Sequence, residues 1–72
     1  MILEAHFLAT AERIQGLLDL DARAACGDAL KVAVTVANPD TCHVIGEAQQ
    51  VMFAVGVVAN YGEDCLQWVR TK

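Results

Sequence analysis

Residues 39–69, PDTCHVIGEAQQVMFAVGVVANYGEDCLQWV, decide the predicted fold. They follow Asn38, which suits a helix cap, and they open with Pro39, which suits the first position of a helix. From there apolar residues recur at steps of three and four, the spacing of one helix face. The stretch therefore predicts a long helix whose inner face contains Val44, Ala48, Val51, Val55, Val58, Ala59, Gly62, Leu66 and Val69.

A second apolar line lies on the other side of this predicted helix and contains most of the aromatic side chains. A helix that is apolar on two sides must be covered on two sides. The line is then either core beneath two other helices or a surface for a partner, and aromatic residues often carry interface energy. We take as the candidate partner or oligomer interface Phe53, Val57, Tyr61 and Trp68.

The end of this helix is ambiguous in the sequence. Residues 60–62, NYG, followed by the acidic pair at 63–64, are typical of a helix stop and a new helix start. The apolar stripe nevertheless continues in phase through Gly62 to Leu66 and Val69, as it would in an unbroken helix. Both alternatives stay open.

The first half of the chain predicts two more helices. Residues 2–18 place apolar side chains on one side of a helix and charged ones on the other. Residues 30–37, LKVAVTVA, alternate as a strand does, but no other segment alternates convincingly, and a lone strand needs a sheet partner. We therefore predict a helix over residues 21–37, or a break at Gly27 that ends a longer first helix. The polar stripe of the predicted helix over residues 21–37 would contain Asp21, Asp28, Lys31 and Thr35.

The predicted fold is all-α: one helical domain over residues 1–72, built as a three-helix bundle or a helical hairpin assembly, with four helices if the last one breaks near Gly62. A chain of 72 residues buries only roughly 60% of the surface that its unfolded form exposes. Hydrophobic residues nevertheless make up 56% of it. This excess predicts a homo-oligomer, most simply a dimer with the third helix near its two-fold axis.

Charge and hydropathy exclude several classes of partner. Nine acidic and five basic residues give a net charge of −4, and positions 32–69 contain no Lys or Arg. Direct binding to nucleic acid needs clustered cations, and so does binding to an acidic membrane surface. The longest apolar run, residues 51–59, is far shorter than the roughly 20 residues of a membrane span. The first residues do not resemble a signal peptide, so we expect a soluble cytoplasmic protein.

No pattern in the sequence predicts catalysis, a metal site or a cofactor. The histidines, His6 and His43, and the cysteines, Cys26, Cys42 and Cys65, lack the close spacing of a metal site or a disulfide framework. There is no serine and no glycine-rich phosphate loop. Cys42 would lie near the start of the predicted third helix, where the helix dipole can stabilise a thiolate. A reactive thiol there is the weaker alternative to an ordinary unreactive cysteine.

The function expected from these observations is that of a non-enzymatic protein-interaction module. It would be a regulator, inhibitor, adaptor or chaperone-like factor that binds another protein through an apolar helix face. A second hypothesis, suggested by the charge of −4, is an acidic decoy that blocks a cationic nucleic-acid-binding surface on a target protein. A third is a thiol- or metal-dependent activity of the cysteines and histidines.

Overall fold

The computed structural model describes residues 1–21 and 30–72 and shows a small α/β fold. Its elements, in order, are β1 (Ile2–Phe7), α1 (Ala11–Leu20), β2 (Val32–Asn38), β3 (Thr41–Glu47), α2 (Ala48–Asn60) and β4 (Leu66–Thr71). The four strands form an antiparallel sheet in the order β2-β3-β1-β4. This is the split β-α-β arrangement known as the ferredoxin-like topology. The all-α prediction, with its helical bundle or hairpin assembly, is therefore wrong.

The predicted helix over residues 2–18 is instead the strand β1 followed by the helix α1. Burial alternates at the end of β1, where Ala5 and Phe7 are fully buried and His6 between them is only partly buried. The apolar spacing misled the prediction because a step of four residues fits both one turn of a helix and the even period of a strand. The helix begins only at Ala11, after the cap residue Thr10, whose Oγ accepts a hydrogen bond from the backbone amide of Arg13 at 3.2 Å.

The residues that resembled the start of a long helix form a β-hairpin instead. The amide of Asp40 donates to Oδ1 of Asn38 at 2.9 Å, so the Asn side chain closes a turn between β2 and β3. Val34 of β2 lies opposite Val44 of β3. The sheet partner that the alternating residues 30–37 required is thus β3. The prediction of a helix over 21–37 is wrong for the part in β2, and residues 22–29, with Cys26, Gly27 and Asp28, lie outside the described residues.

Of the predicted long helix over residues 39–69, only residues 48–60 are helical, as α2. It ends at Asn60, and Gly62 follows with φ +78°, a left-handed conformation that glycine adopts easily. The amide of Gly62 donates to the carbonyl of Ala59 at 3.0 Å. Of the two alternatives the helix stop is therefore observed, but a strand, β4, follows it and not a fourth helix.

Both helices pack on one face of the sheet, and the core lies between the two layers. The central strands β1 and β3 supply its sheet side, with Ala5 opposite Val44 and Phe7 opposite Cys42. The helices contribute side chains one turn apart, as an amphipathic helix does. The buried apolar residues of the described chain are Ala5, Phe7, Ile14, Leu18, Cys42, Val44, Val51, Ala54, Val57 and Val58. Neither α1 nor α2 is long and apolar enough to cross a membrane.

Phe7, the last residue of β1, and Leu8, which follows it, provide a matched test of this layering. Phe7 is 0% exposed and Leu8 is 54% exposed. Phe7→Ala should lower the free energy of unfolding by about 3–5 kcal/mol because it removes a core ring and leaves a cavity. Leu8→Ala should change it by about 0.5 kcal/mol or less. Urea denaturation followed by circular dichroism measures both, and equal effects of the two substitutions would contradict the assigned faces.

Candidate functional site

The face of the sheet opposite the helices carries a cluster of aromatic and charged side chains. Residues of β1 that alternate with the core positions point to this face, and so do their neighbours on β3 and β4. His6 lies opposite both His43 and Trp68, and Glu4 lies opposite Arg70. We call this face the open face. The open-face cluster is Glu4, His6, His43, Trp68, Arg70 and Lys72.

Three rings at the centre of the cluster contact one another. His6 and Trp68 are stacked, with ring centroids 5.0 Å apart and an angle of 12° between the planes. His43 lies 4.7 Å from His6 and 5.5 Å from Trp68, tilted against both. The guanidinium carbon of Arg70 lies 4.4 Å from the centre of the Trp68 ring, which is cation–π geometry. The rings come from three strands, so the sheet itself fixes their arrangement.

Glu4 is the carboxylate of the cluster, and its side chain is only 3% exposed. Arg70 contacts its Oε1 through Nη2 at 2.9 Å and Nε at 3.0 Å, and Lys72 contacts its Oε2 at 3.2 Å. Burial raises the pKa of Glu4, but the hydrogen bonds from Arg70 and Lys72 and the positive charge of Lys72 and His43 outweigh it. The pKa of Glu4 is therefore lower than its usual value. These contacts attach the C-terminal end of β4 to β1.

One polar atom within the cluster is buried without a partner. Nδ1 of His6 makes no hydrogen bond to any described residue, although its ring is stacked on Trp68 and contacts the tilted ring of His43. Buried polar atoms are normally satisfied, so such an atom calls for an explanation.

The structure bears on two chemical possibilities of the sequence, a metal site and a reactive Cys42 thiol. Within residues 1–21 and 30–72 no three His, Cys, Asp or Glu side chains are placed to hold a metal ion together. Cys42, for which a reactive thiol is the weaker alternative in the sequence, lies within β3 and is fully buried toward the helices. Burial raises the pKa of the Cys42 thiol, and the nearby Cys65 raises it further. That position therefore disfavours a thiolate, and it is not at a helix start.

The structure separates the four residues of the predicted interface. Val57 belongs to the core, Phe53 is partly buried on α2, and Tyr61 is 44% exposed just beyond the end of that helix. Trp68 lies across the sheet from them, because the chain turns at Gly62 and returns as β4. They do not form one line, and whether any of them contacts a partner stays a prediction.

Only Trp68 of the open-face cluster was among the predicted site residues. The other five were not predicted to form a site with Trp68, because strands β1, β3 and β4, which carry them, are separated in the sequence and meet only through strand pairing. A signal was present: Trp68, Arg70 and Lys72 alternate with other residues, as do Glu4 and His6. Alternation of this kind places side chains on one face of a strand.

Comparison with known proteins adds no family to this description. No family model, no curated protein and no solved structure matches the chain.

The buried carboxylate of Glu4 predicts a pH-dependent stability. Its pKa is lower in the folded than in the unfolded chain, so its contribution is fully present above about pH 4.3, the pKa of an unperturbed Glu. It is lost as the pH falls through the lower folded-state value. Glu4→Gln should therefore be less stable than the natural chain at pH 7, and the gap should shrink below about pH 4.3.

Urea midpoints measured from pH 7 to pH 3 test this expectation. Glu12→Gln, on the exposed side of α1, is the matched control and should follow the natural chain more closely throughout. A gap between Glu4→Gln and the natural chain that is constant with pH would show that the carboxylate charge does not stabilise the fold.

Proposed function

We propose that the chain is a non-enzymatic protein-interaction module that binds its partner through the open face of the sheet. The observation that carries this proposal is Trp68, half-buried, stacked on His6 and contacted by the Arg70 guanidinium on the face that neither α1 nor α2 covers. Trp and Arg are the residues most enriched at interface hot spots. Strand pairing holds the Trp68 and His6 rings in place, so little conformational entropy is lost when a partner binds.

The charges of the cluster indicate the chemistry of that partner. Arg70 and Lys72 supply two cations, and Glu4 supplies one carboxylate that both of them contact. The side chains of Arg70 and Lys72 stay 64% and 54% exposed. The cluster is therefore net positive on a chain whose overall charge is −4. A partner segment that presents a carboxylate beside an apolar side chain would complement both Arg70 and Trp68.

The proposed partner surface is thus on the sheet, and not on the helix face expected from the sequence. The apolar face of α2 is largely used by the core, since Val51, Ala54, Val57 and Val58 are buried. Met52, which is 51% exposed, remains on its outer side. A single exposed methionine is common on a protein surface.

The acidic-decoy hypothesis gains little from the fold. Apart from Glu4 on β1, the described acidic side chains are scattered over α1 and its end, the β2–β3 turn, the end of β3 and the segment after α2: Glu12, Asp19, Asp21, Asp40, Glu47, Glu63 and Asp64. A decoy needs its charges arranged on one surface so that they match those of the target. Glu63 is moreover paired with Arg13.

A random peptide library displayed on phage tests the proposed function with a defined probe. The natural chain should enrich peptides that contain an acidic residue beside an apolar one. Trp68→Ala should weaken binding of these peptides by about thirtyfold, the effect of a typical hot spot. Met52→Ala, the matched control on the outer side of α2, should bind them like the natural chain. Circular dichroism confirms that each variant is folded.

Two results would contradict the proposal. One is a set of enriched peptides that bind the Trp68→Ala variant as tightly as the natural chain. The other is tight binding of fluorescent single-stranded oligonucleotides to the open face, because aromatic rings with nearby cations can also stack bases. The second result would assign the same face to nucleic-acid recognition.

A further inference from the structure

We propose that β2 is an interface between two copies of this chain, in which two β2 strands pair antiparallel about a two-fold axis at Thr35. Among the described strands, β2 has β3 on one side and none on the other. An edge strand presents unpaired backbone donors and acceptors that can bind another strand. The proposal concerns a surface separate from the open-face cluster and does not depend on the proposed function.

The sequence of β2 lacks the charges and prolines by which proteins often protect an edge strand. Its residues, VAVTVAN, include no charge, no proline and no glycine. Charged residues, prolines and bulges are the common protection against edge pairing. The other edge strand, β4, has such protection, because it carries Arg70. Of the two described edge strands, β2 is therefore the one without a charged residue, although its pairing with β3 is irregular between Val36 and Asn38.

The strand is also complementary to itself. Residues 33–37, AVTVA, read the same in both directions, so antiparallel pairing centred on Thr35 places like beside like. Thr35 then lies opposite its own copy, and Val34 lies opposite Val36 of the second copy. Paired β-branched residues and Thr–Thr pairs stabilise antiparallel strands. No charge faces a like charge in this register, although two chains of net charge −4 repel each other elsewhere.

On the side of β2 that faces the helices, one apolar side chain is exposed. Val36 is 71% exposed, the largest exposure of any described valine. Val34, two residues earlier on the same face, lines a groove of about 430 Å³ whose other lining residues, all on α1, are Ala11, Glu12, Gln15, Gly16 and Asp19. In the proposed register Val36 of one copy lies beside Val34 of the other, at this groove. The dimer would thus cover an apolar side chain that the described monomer leaves in solvent.

The proposed dimer has a clear consequence for the open face. Two four-stranded sheets joined at β2 form one continuous sheet, and β4 lies at the far edge of each. The two open-face clusters would then lie at opposite ends of the same face. This interface differs from the dimer predicted from the sequence, in which a helix lies near the two-fold axis.

Light scattering across a range of concentrations tests the proposal with the full chain alone. The natural chain should be a dimer, and Thr35→Lys should raise the dissociation constant about five- to tenfold, because it places two like charges opposite each other. Thr35→Glu alone should have a similar effect, and an equal mixture of the two variants should dimerise again. Gln67→Lys, exposed on the other edge strand, should leave the dimer intact.

Several outcomes would overturn the proposal. A natural chain that stays monomeric at high concentration would do so, and so would a dimer that Gln67→Lys dissociates while Thr35→Lys leaves it intact. Failure of the charge-reversed mixture to restore the dimer would exclude the two-fold axis at Thr35. Circular dichroism of each variant separates loss of the dimer from loss of the fold.

Discussion

The pairing of β1 with β3 is the interaction on which the rest of the structure depends. These two strands form the centre of the sheet, and each contributes alternate residues to both of its faces. Ala5 and Phe7 point to the helices, whereas Glu4 and His6 point to the open face. A shift of one residue would exchange the two sets. The same register that builds the core therefore also assembles the open-face cluster.

The sequence predicted helices more successfully than strands, for a physical reason. The periodicity of α2 lies within one continuous segment, and its end at Gly62 carries a local signal in the glycine itself. Strands depend on partners that are distant in the chain. The alternation in β2 was visible, but its partner β3 was concealed because Val44 and Ala48 also fit a helical spacing. Asn38 added to the error, since a capping side chain and a turn-closing side chain make the same bond to a backbone amide.

The candidate site was harder to foresee than the fold. Trp68 stood out because it is the only tryptophan, but its predicted neighbours were residues of a helix that does not extend to it. Its real neighbours, His6 and His43, come from strands about 60 and 25 positions away in the chain. Nothing local to those histidines indicates that they meet. A site of this kind follows from topology, and it could have been proposed only after the strand order was known.

The most direct test of this account is a measurement of which protons lie near the Trp68 indole in solution. Nuclear Overhauser spectra of the isotope-labelled chain should show contacts between the Trp68 ring and the His6 and His43 rings, together with contacts across β1 and β3. These contacts would place the cluster on one face of the described sheet. Contacts from Trp68 to Tyr61 and Val57, with the sequential pattern of a continuous helix, would instead support the all-α arrangement and contradict both the fold and the site.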